Sequence, residues 1–232
     1  AMRKTKELLL VVCATAIAIA GSAAKADPLE AVYGFAVTDP GAFVSAFDTL
    51  FESDSVKGNR VSLWAAEFDG SSPATHVVTV DFGSFQAMDE ANARRRSGDA
   101  WQRYLKATEG ISDLTGSLLL IQRGSWGESG AQHGAGAAFS MTVQDPARYA
   151  AAFDKLVKAY GPKGSMRLME VRAGGEGATH FVLVTAPTLA ELNGYLEGLF
   201  ASDAFRAFGA EVGSIRKLHT VNMYRRVKAW QR

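Results

Sequence analysis

Side chains that could do chemistry are few, and the histidines come first. Ala74-Thr75-His76-Val77-Val78 recurs as Ala178-Thr179-His180-Phe181-Val182. Two imidazoles in one repeated context could flank a ligand, act as bases, or ligate a metal or haem. Thr-His at the head of a strand can equally close a hairpin by hydrogen bonding. His133 falls in a Gly-, Ser- and Ala-rich stretch, where it is expected to face water, and His219 stands apart. Cys13 is the only cysteine, and no His-x-x-x-His spacing occurs, so no metal site is expected.

Carboxylates are the next resource. Glu67, Asp81 and Glu170 interrupt apolar or alternating segments. A buried one would have a raised pKa and could serve as acid or base; solvent exposure or pairing with arginine is the plainer expectation, and the pattern does not match between the two halves of the chain. Trp64, on the same segment as Glu67, could line a pocket, and so could Tyr224 beside Arg225, although ordinary core packing explains Trp64 and Tyr224 equally well. The candidate ligand-binding set is therefore His76, His180, Trp64, Glu67, Glu170 and Tyr224, with no catalytic residue assigned. There is no Gly-x-Ser-x-Gly elbow and no phosphate loop. Gly134-Ala135-Gly136 leads into a strand rather than from a strand into a helix, which fails the context of a dinucleotide site.

The elements that must position these residues come in two copies. Val37-Thr38-Asp39-Pro40 with Phe43, Phe47-Asp48 and Leu50 recurs at an offset of 106 as Val143-Gln144-Asp145-Pro146 with Tyr149, Phe153-Asp154 and Leu156. The histidine segments, Asp99-Ala100-Trp101 against Asp203-Ala204-Phe205, and Trp126 against Trp230 all recur at 104. Constant spacing over separated blocks marks a duplication.

In each copy a first strand alternates bulky and small residues, Tyr33, Phe35, Val37 and Phe139, Met141, Val143 being the bulky set. Asp39 and Asp145 fit N-caps, with Pro40 and Pro146 at the first helical position. The helices that follow bury Phe43, Phe47, Leu50, Phe51 and Tyr149, Phe153, Leu156, Val157 at helical spacing. Hairpins are predicted over 61–68 with 76–82 and over 165–172 with 180–185, then one long helix over 85–106 and 189–208, then last strands over 116–123 and 221–227. Arg94-Arg95-Arg96 stands where the second copy has Gly198-Leu199-Phe200. The arginines read as a solvated face paired with Asp89 and Glu90. Tyr195, Leu196, Leu199 and Phe200 form a wide apolar stripe that could serve self-association through the outer helices.

The first residues combine a basic start (Arg3, Lys4, Lys6), an apolar run from Leu8 to Ala20 and an Ala24-Lys25-Ala26 end, the pattern of a cleaved secretory signal over 1–26. The apolar run is 13 residues long, short of the roughly 20 that span a bilayer, so membrane contact is expected only in transit. The remainder keeps 21 basic and 23 acidic side chains; without a basic excess, nucleic acid is not an expected partner. Residues 29–126 make the first unit, 127–136 a Gly-rich linker, and 137–232 the second unit.

Each unit reads as βαββαβ, an α+β ferredoxin-like fold with an antiparallel sheet and both helices on one face. The Asp-Pro steps and the segments Ala201-Ser202-Asp203-Ala204-Phe205 and Ser97-Gly98-Asp99-Ala100-Trp101 resemble the dimeric α/β-barrel superfamily, the antibiotic-biosynthesis-monooxygenase-like group. That resemblance implies two sheets facing each other as an internal pseudo-dimeric barrel with helices outside, burying Phe139, Met141 and Val143 between them. Relatives include exported haem enzymes such as chlorite dismutase, but no haem motif is readable here, so no cofactor is expected. The leading expectation is a periplasmic or secreted small-molecule-binding barrel without an evident catalytic set. The alternatives are a monooxygenase-like or haem-dependent oxidoreductase, and a structural or interaction protein using its helix faces.

Overall fold

A computed structural model describes residues 28–128 and 133–231. The segment 1–26 expected to be a secretory signal, with Cys13, and residues 129–132 of the expected linker lie outside the described residues. Unit one runs β1 (Leu29–Val37), α1 (Pro40–Phe51), a short 3-10 turn (Asp54–Val56), β2 (Arg60–Phe68), β3 (His76–Phe82), α2 (Phe85–Ser97), α3 (Asp99–Thr108) and β4 (Ser112–Gly127). Unit two repeats it as β5 (Ala135–Val143), α4 (Pro146–Tyr160), β6 (Ser165–Ala173), β7 (His180–Ala186), α5 (Leu189–Ala201), α6 (Asp203–Val212) and β8 (Arg216–Gln231). All eight strands close into one antiparallel barrel in the order β1-β3-β2-β8-β5-β7-β6-β4.

The Asp-Pro steps act as their chemistry requires. Asp39 accepts from the Ala42 N–H and Asp145 from the Arg148 N–H, each with proline opening the helix. The predicted stripes of α1 and α4 are buried in full. The long second helix of each unit is instead broken in two. Gly98 (ψ 129°) and Ser202 (ψ 152°) take extended backbone, and the Ser202 hydroxyl accepts from the Phe205 N–H to start a new helix.

The last strands are twice their predicted length, 16 residues each. β4 pairs with β1 through Ser112–Ile121 and with β6 of the other unit through Leu119–Gly127, while β8 pairs with β5 and β2 in the same way. These long strands join the two sheets. Each also carries a tryptophan across the seam: Trp126 Nε1 donates to Asp154 on α4 (3.1 Å), and Trp230 Nε1 donates to Asp48 on α1 (2.8 Å). Lys158 and Lys228 complete the pairs and hold both carboxyls below the usual carboxylate range.

One expectation about the sheet faces is reversed. Met141 and Val143 pack with Phe153, Leu196 and Val212 in the core beneath the helices of unit two, and Phe139 leans on it. Val37, Leu63 and Val78 do the same beneath α1 and α3, with Tyr33 and Phe35 against them. The bulky face is thus the helix face, because two amphipathic helices per unit cover it. The face with small residues turns inward, and the barrel stays hollow.

Candidate functional site

The Thr-His steps are clasps. Thr75 Oγ1 accepts from the Val37 N–H (2.9 Å) and lies 3.0 Å from His76 Nδ1; Thr179 repeats this with Val143 (2.9 Å) and His180 (2.9 Å). Both rings are buried on the helix side of the barrel, His76 near Phe43 and His180 near Tyr149, and burial pushes both below the ordinary imidazole pKa. They sit under separate helices and share no site. Glu67 and Glu170 also stay outside the lumen, in ion pairs across the two seams: Glu67 with Arg225 and Glu170 with Arg123, each at 2.7 Å. The two carboxylates therefore play comparable parts in the two copies, which their sequence positions do not suggest. Trp64 and Tyr224 do line the lumen; Arg226 lies 5.3 Å from the Trp64 ring, and the Tyr224 hydroxyl donates to Asp69 (3.0 Å).

Every strand contributes to the lumen, an interior of the size at which eight strands can hold one small ligand. Its larger cavity, about 640 Å³, is bordered by Val32, Val77, Ala138, Phe181, Leu183 and Tyr224 among others. A smaller chamber of about 280 Å³ adjoins it at Glu30, Trp64, Thr79, Arg167 and Thr185. Here Glu30, 3% exposed, pairs with Arg167 at 2.7 Å. Asp81 stands directly opposite Glu30 on β3. Burial and the Glu30 carboxylate push Asp81 up to about 7, against the pull of Arg167 and Arg60. His133 belongs to this chamber rather than to bulk water: it is 5% exposed, its Nδ1 lies 2.8 Å from Thr185 Oγ1, and burial lowers its pKa.

The most consequential space lies outside the barrel, between the sheet and the helices of unit one. A cavity of about 700 Å³ is walled by Phe35, Phe47, Phe51, Val78 and Val80 and edged by Asn92, Arg95, Trp101, Tyr104 and Glu109. Its cause is three substitutions between the copies. At the offset of 104, Ala91, Asn92 and Arg95 stand where unit two has Tyr195, Leu196 and Leu199. In unit two those three side chains are buried in the core with Leu192; in unit one only Ala91 of α2 is buried. The apolar stripe of α5 is thus a plug, and Phe200, 44% exposed against Phe139 and Phe205, is the part left outside.

Arg95 is not part of a merely solvated face. Its guanidinium donates to Asn92 Oδ1 (2.6 Å), lies 4.6 Å from the Trp101 ring and borders the cavity, while Arg94 donates to the Lys57 carbonyl (2.9 Å). Tyr104, stacked on Trp101 with Phe47 tilted against it, has its phenol pKa raised by burial and lowered in part by Arg95. Reasoning from the sequence missed Asn92, Arg95 and Tyr104, and it named Asp81 as a strand carboxylate without seeing the Glu30 and Arg167 that meet it. The aligned copies held the first signal, since polar residues replace apolar ones at core positions of α2. Nothing local marked the cluster, because it joins residues up to 137 positions apart.

No family model matches the chain, and no curated protein matches it in sequence. Solved structures do match in fold. A candidate monooxygenase from Lactobacillus acidophilus NCFM superposes with a TM-score of 0.62 at 10% identity, covering 88% of this chain and 96% of that one. An anthrone oxidase-like protein gives 0.56 at 14%, covering 88% and 93%. A chlorite dismutase from Candidatus Nitrospira defluvii gives 0.52 at 13%, covering 87% and 92%. A haem-binding protein of Thermus thermophilus also shares the fold, at 10% identity.

Two expectations are corrected by these likenesses. A barrel without catalysis and without a cofactor was expected because no motif is readable. Proteins bearing oxidase, dismutase and haem-binding names share the fold with almost no shared sequence, so a missing motif excludes neither. The chain has the dimeric α/β-barrel fold, built as a tandem of two ferredoxin-like units in one chain, with no subfamily assigned.

Proposed function

We propose that the protein is a monooxygenase-like oxidoreductase that takes an electron-rich aromatic substrate between the sheet and the helices of unit one. The observation that carries this reading is the opening of that space in one unit and its plugging in the other. Apolar walls with a few polar groups at the edge suit a flat aromatic guest. Oxidation of an activated methylene by O₂ to a ketone and water draws its electrons from the substrate itself. The protein's part is to favour the substrate anion: Glu109 at the rim accepts the proton, and Arg95, fixed on Trp101 and Asn92, holds the resulting oxyanion. The monooxygenase and anthrone oxidase-like neighbours support this chemistry.

The test is oxygen uptake on tricyclic phenols. Ala91→Tyr/Asn92→Leu, which transplants part of the plug of unit two, should lower uptake at least tenfold while leaving the melting temperature unchanged or higher. Unchanged uptake in that variant would place the reaction elsewhere.

Haem is a second reading, favoured by the haem-binding neighbour and by one donor. Haem iron is held by His, Cys, Met or Tyr, and Tyr104 and Tyr33 offer that chemistry in this cavity, with Arg95 and Lys106 as partners for propionates. Bound haem would supply one-electron and O₂ chemistry. Addition of hemin should then give a Soret band that Tyr104→Phe shifts or abolishes.

Localisation outside the cytoplasm is a separate proposal, resting on the segment 1–26; a native protein whose N-terminus is Asp27 supports it, and one that retains Met2 removes it.

A further inference from the structure

We propose that the small chamber at one end of the barrel lumen is a second binding site, for the carboxylate of a small organic acid. Its charged row has no counterpart in the other unit. Glu30, Asp81 and Arg60 are direct cross-strand partners on β1, β3 and β2. The same positions of unit two are Gly136, Thr185 and Ser165, paired in the same register. Asp81 shares a hydrogen bond with Glu30, and both carboxyls border the chamber.

Charge sets the class of guest. Three arginines, Arg60, Arg167 and Arg226, line a chamber that holds two carboxyls, Glu30 and Asp81. Arg167 is taken by Glu30 at 2.7 Å, whereas Arg60 stands 3.5 Å from Asp81. Burial and the nearby Arg60 both make the Arg226 guanidinium more acidic than usual. The groups facing Asp81 are Glu30 from β1, Arg60 from β2 and Arg167 from β6; His133 is held neutral by burial. A guest carboxylate would accept the fork of Arg60, and protonated Asp81 would donate its O–H to the second oxygen. Ionised Asp81 would repel the same guest, so binding draws in a proton. The chamber shares no lining residue with the sheet–helix cavity of unit one, so the two sites fail independently.

Calorimetric titration of benzoate into the full chain at pH 7.5, in two buffers of different ionisation enthalpy, tests this. Saturable one-to-one binding with net proton uptake is expected. Arg60→Gln, a half-exposed position that the fold does not depend on, should weaken it at least tenfold, and Asp81→Asn should bind without proton uptake. Ala91→Tyr/Asn92→Leu should bind as the wild type does. Absence of saturable heat, or equal competition by sulfate showing an adventitious ion only, would overturn the site. So would binding that survives Arg60→Gln and disappears when the sheet–helix cavity is filled. If Asp81→Asn does not fold, the wild-type buffer comparison and Arg60→Gln decide alone.

Discussion

Position 95 separates the two halves of the chain chemically: an arginine fixed over Trp101 faces a cavity in one unit, and its counterpart Leu199 fills the core of the other. The repeated histidines, by contrast, are explained by the clasp they form with Thr75 and Thr179. His76→Gln and His180→Gln should accordingly leave oxygen uptake within about twofold of wild type, while Thr75→Val should cost on the order of 1 kcal/mol in urea unfolding through the lost hydrogen bond. Asp81 gives a pH signature. Its folded pKa, about 7, lies above the ordinary carboxylate value, so the folded state binds the proton more tightly than the unfolded one. That contribution is complete in acid and is lost as pH rises from about 4 through 7. Relative to Asp81→Asn, wild type should melt higher at pH 5 than at pH 8; an equal gap at both would show no proton held at this site. Comparing the two proteins cancels the buried histidines, whose lowered pKa acts in the opposite direction. Residue chemistry was half legible: Trp64 and Tyr224 could be read as pocket or core residues but not as one rather than the other, and Glu30 and Arg167 meet only through barrel closure.

At the scale of elements, the Asp-Pro caps and the stripes of α1 and α4 were legible because both depend on residues within one or two turns of each other. The breaks between α2 and α3 and between α5 and α6 were not read, although Ser202-Asp203 carries cap chemistry at the second, since the apolar spacing continues across both. The doubled length of β4 and β8 was hidden for a different reason. Their second halves, Gln122–Gly127 and Arg226–Gln231, carry no clear alternation, and they extend as strand because a second sheet is there to pair with them. Those halves matter because they carry Trp126 and Trp230 into the opposite unit. Trp230→Phe should keep the stacking on Phe47 and Phe51 and lose the bond to Asp48, lowering stability by about 1 kcal/mol with an unchanged denaturant slope.

For the whole molecule, duplication could be read from constant offsets and the facing sheets were implied by the family resemblance, but which face turned inward could not be read. Alternation shows that one face is bulky and one small without showing whether helices or a second sheet cover the bulky one. Once the helices take it, a hollow barrel and one unplugged sheet–helix space follow, and the proposed oxidation belongs to that space. Co-crystallisation with 1,8-dihydroxyanthraquinone, a redox-stable analogue of the product class, tests this most directly. The account predicts the rings between Phe47 and Val78 with an oxygen on Arg95. Density for the ligand in the lumen, or over the plugged helices of unit two, would contradict it.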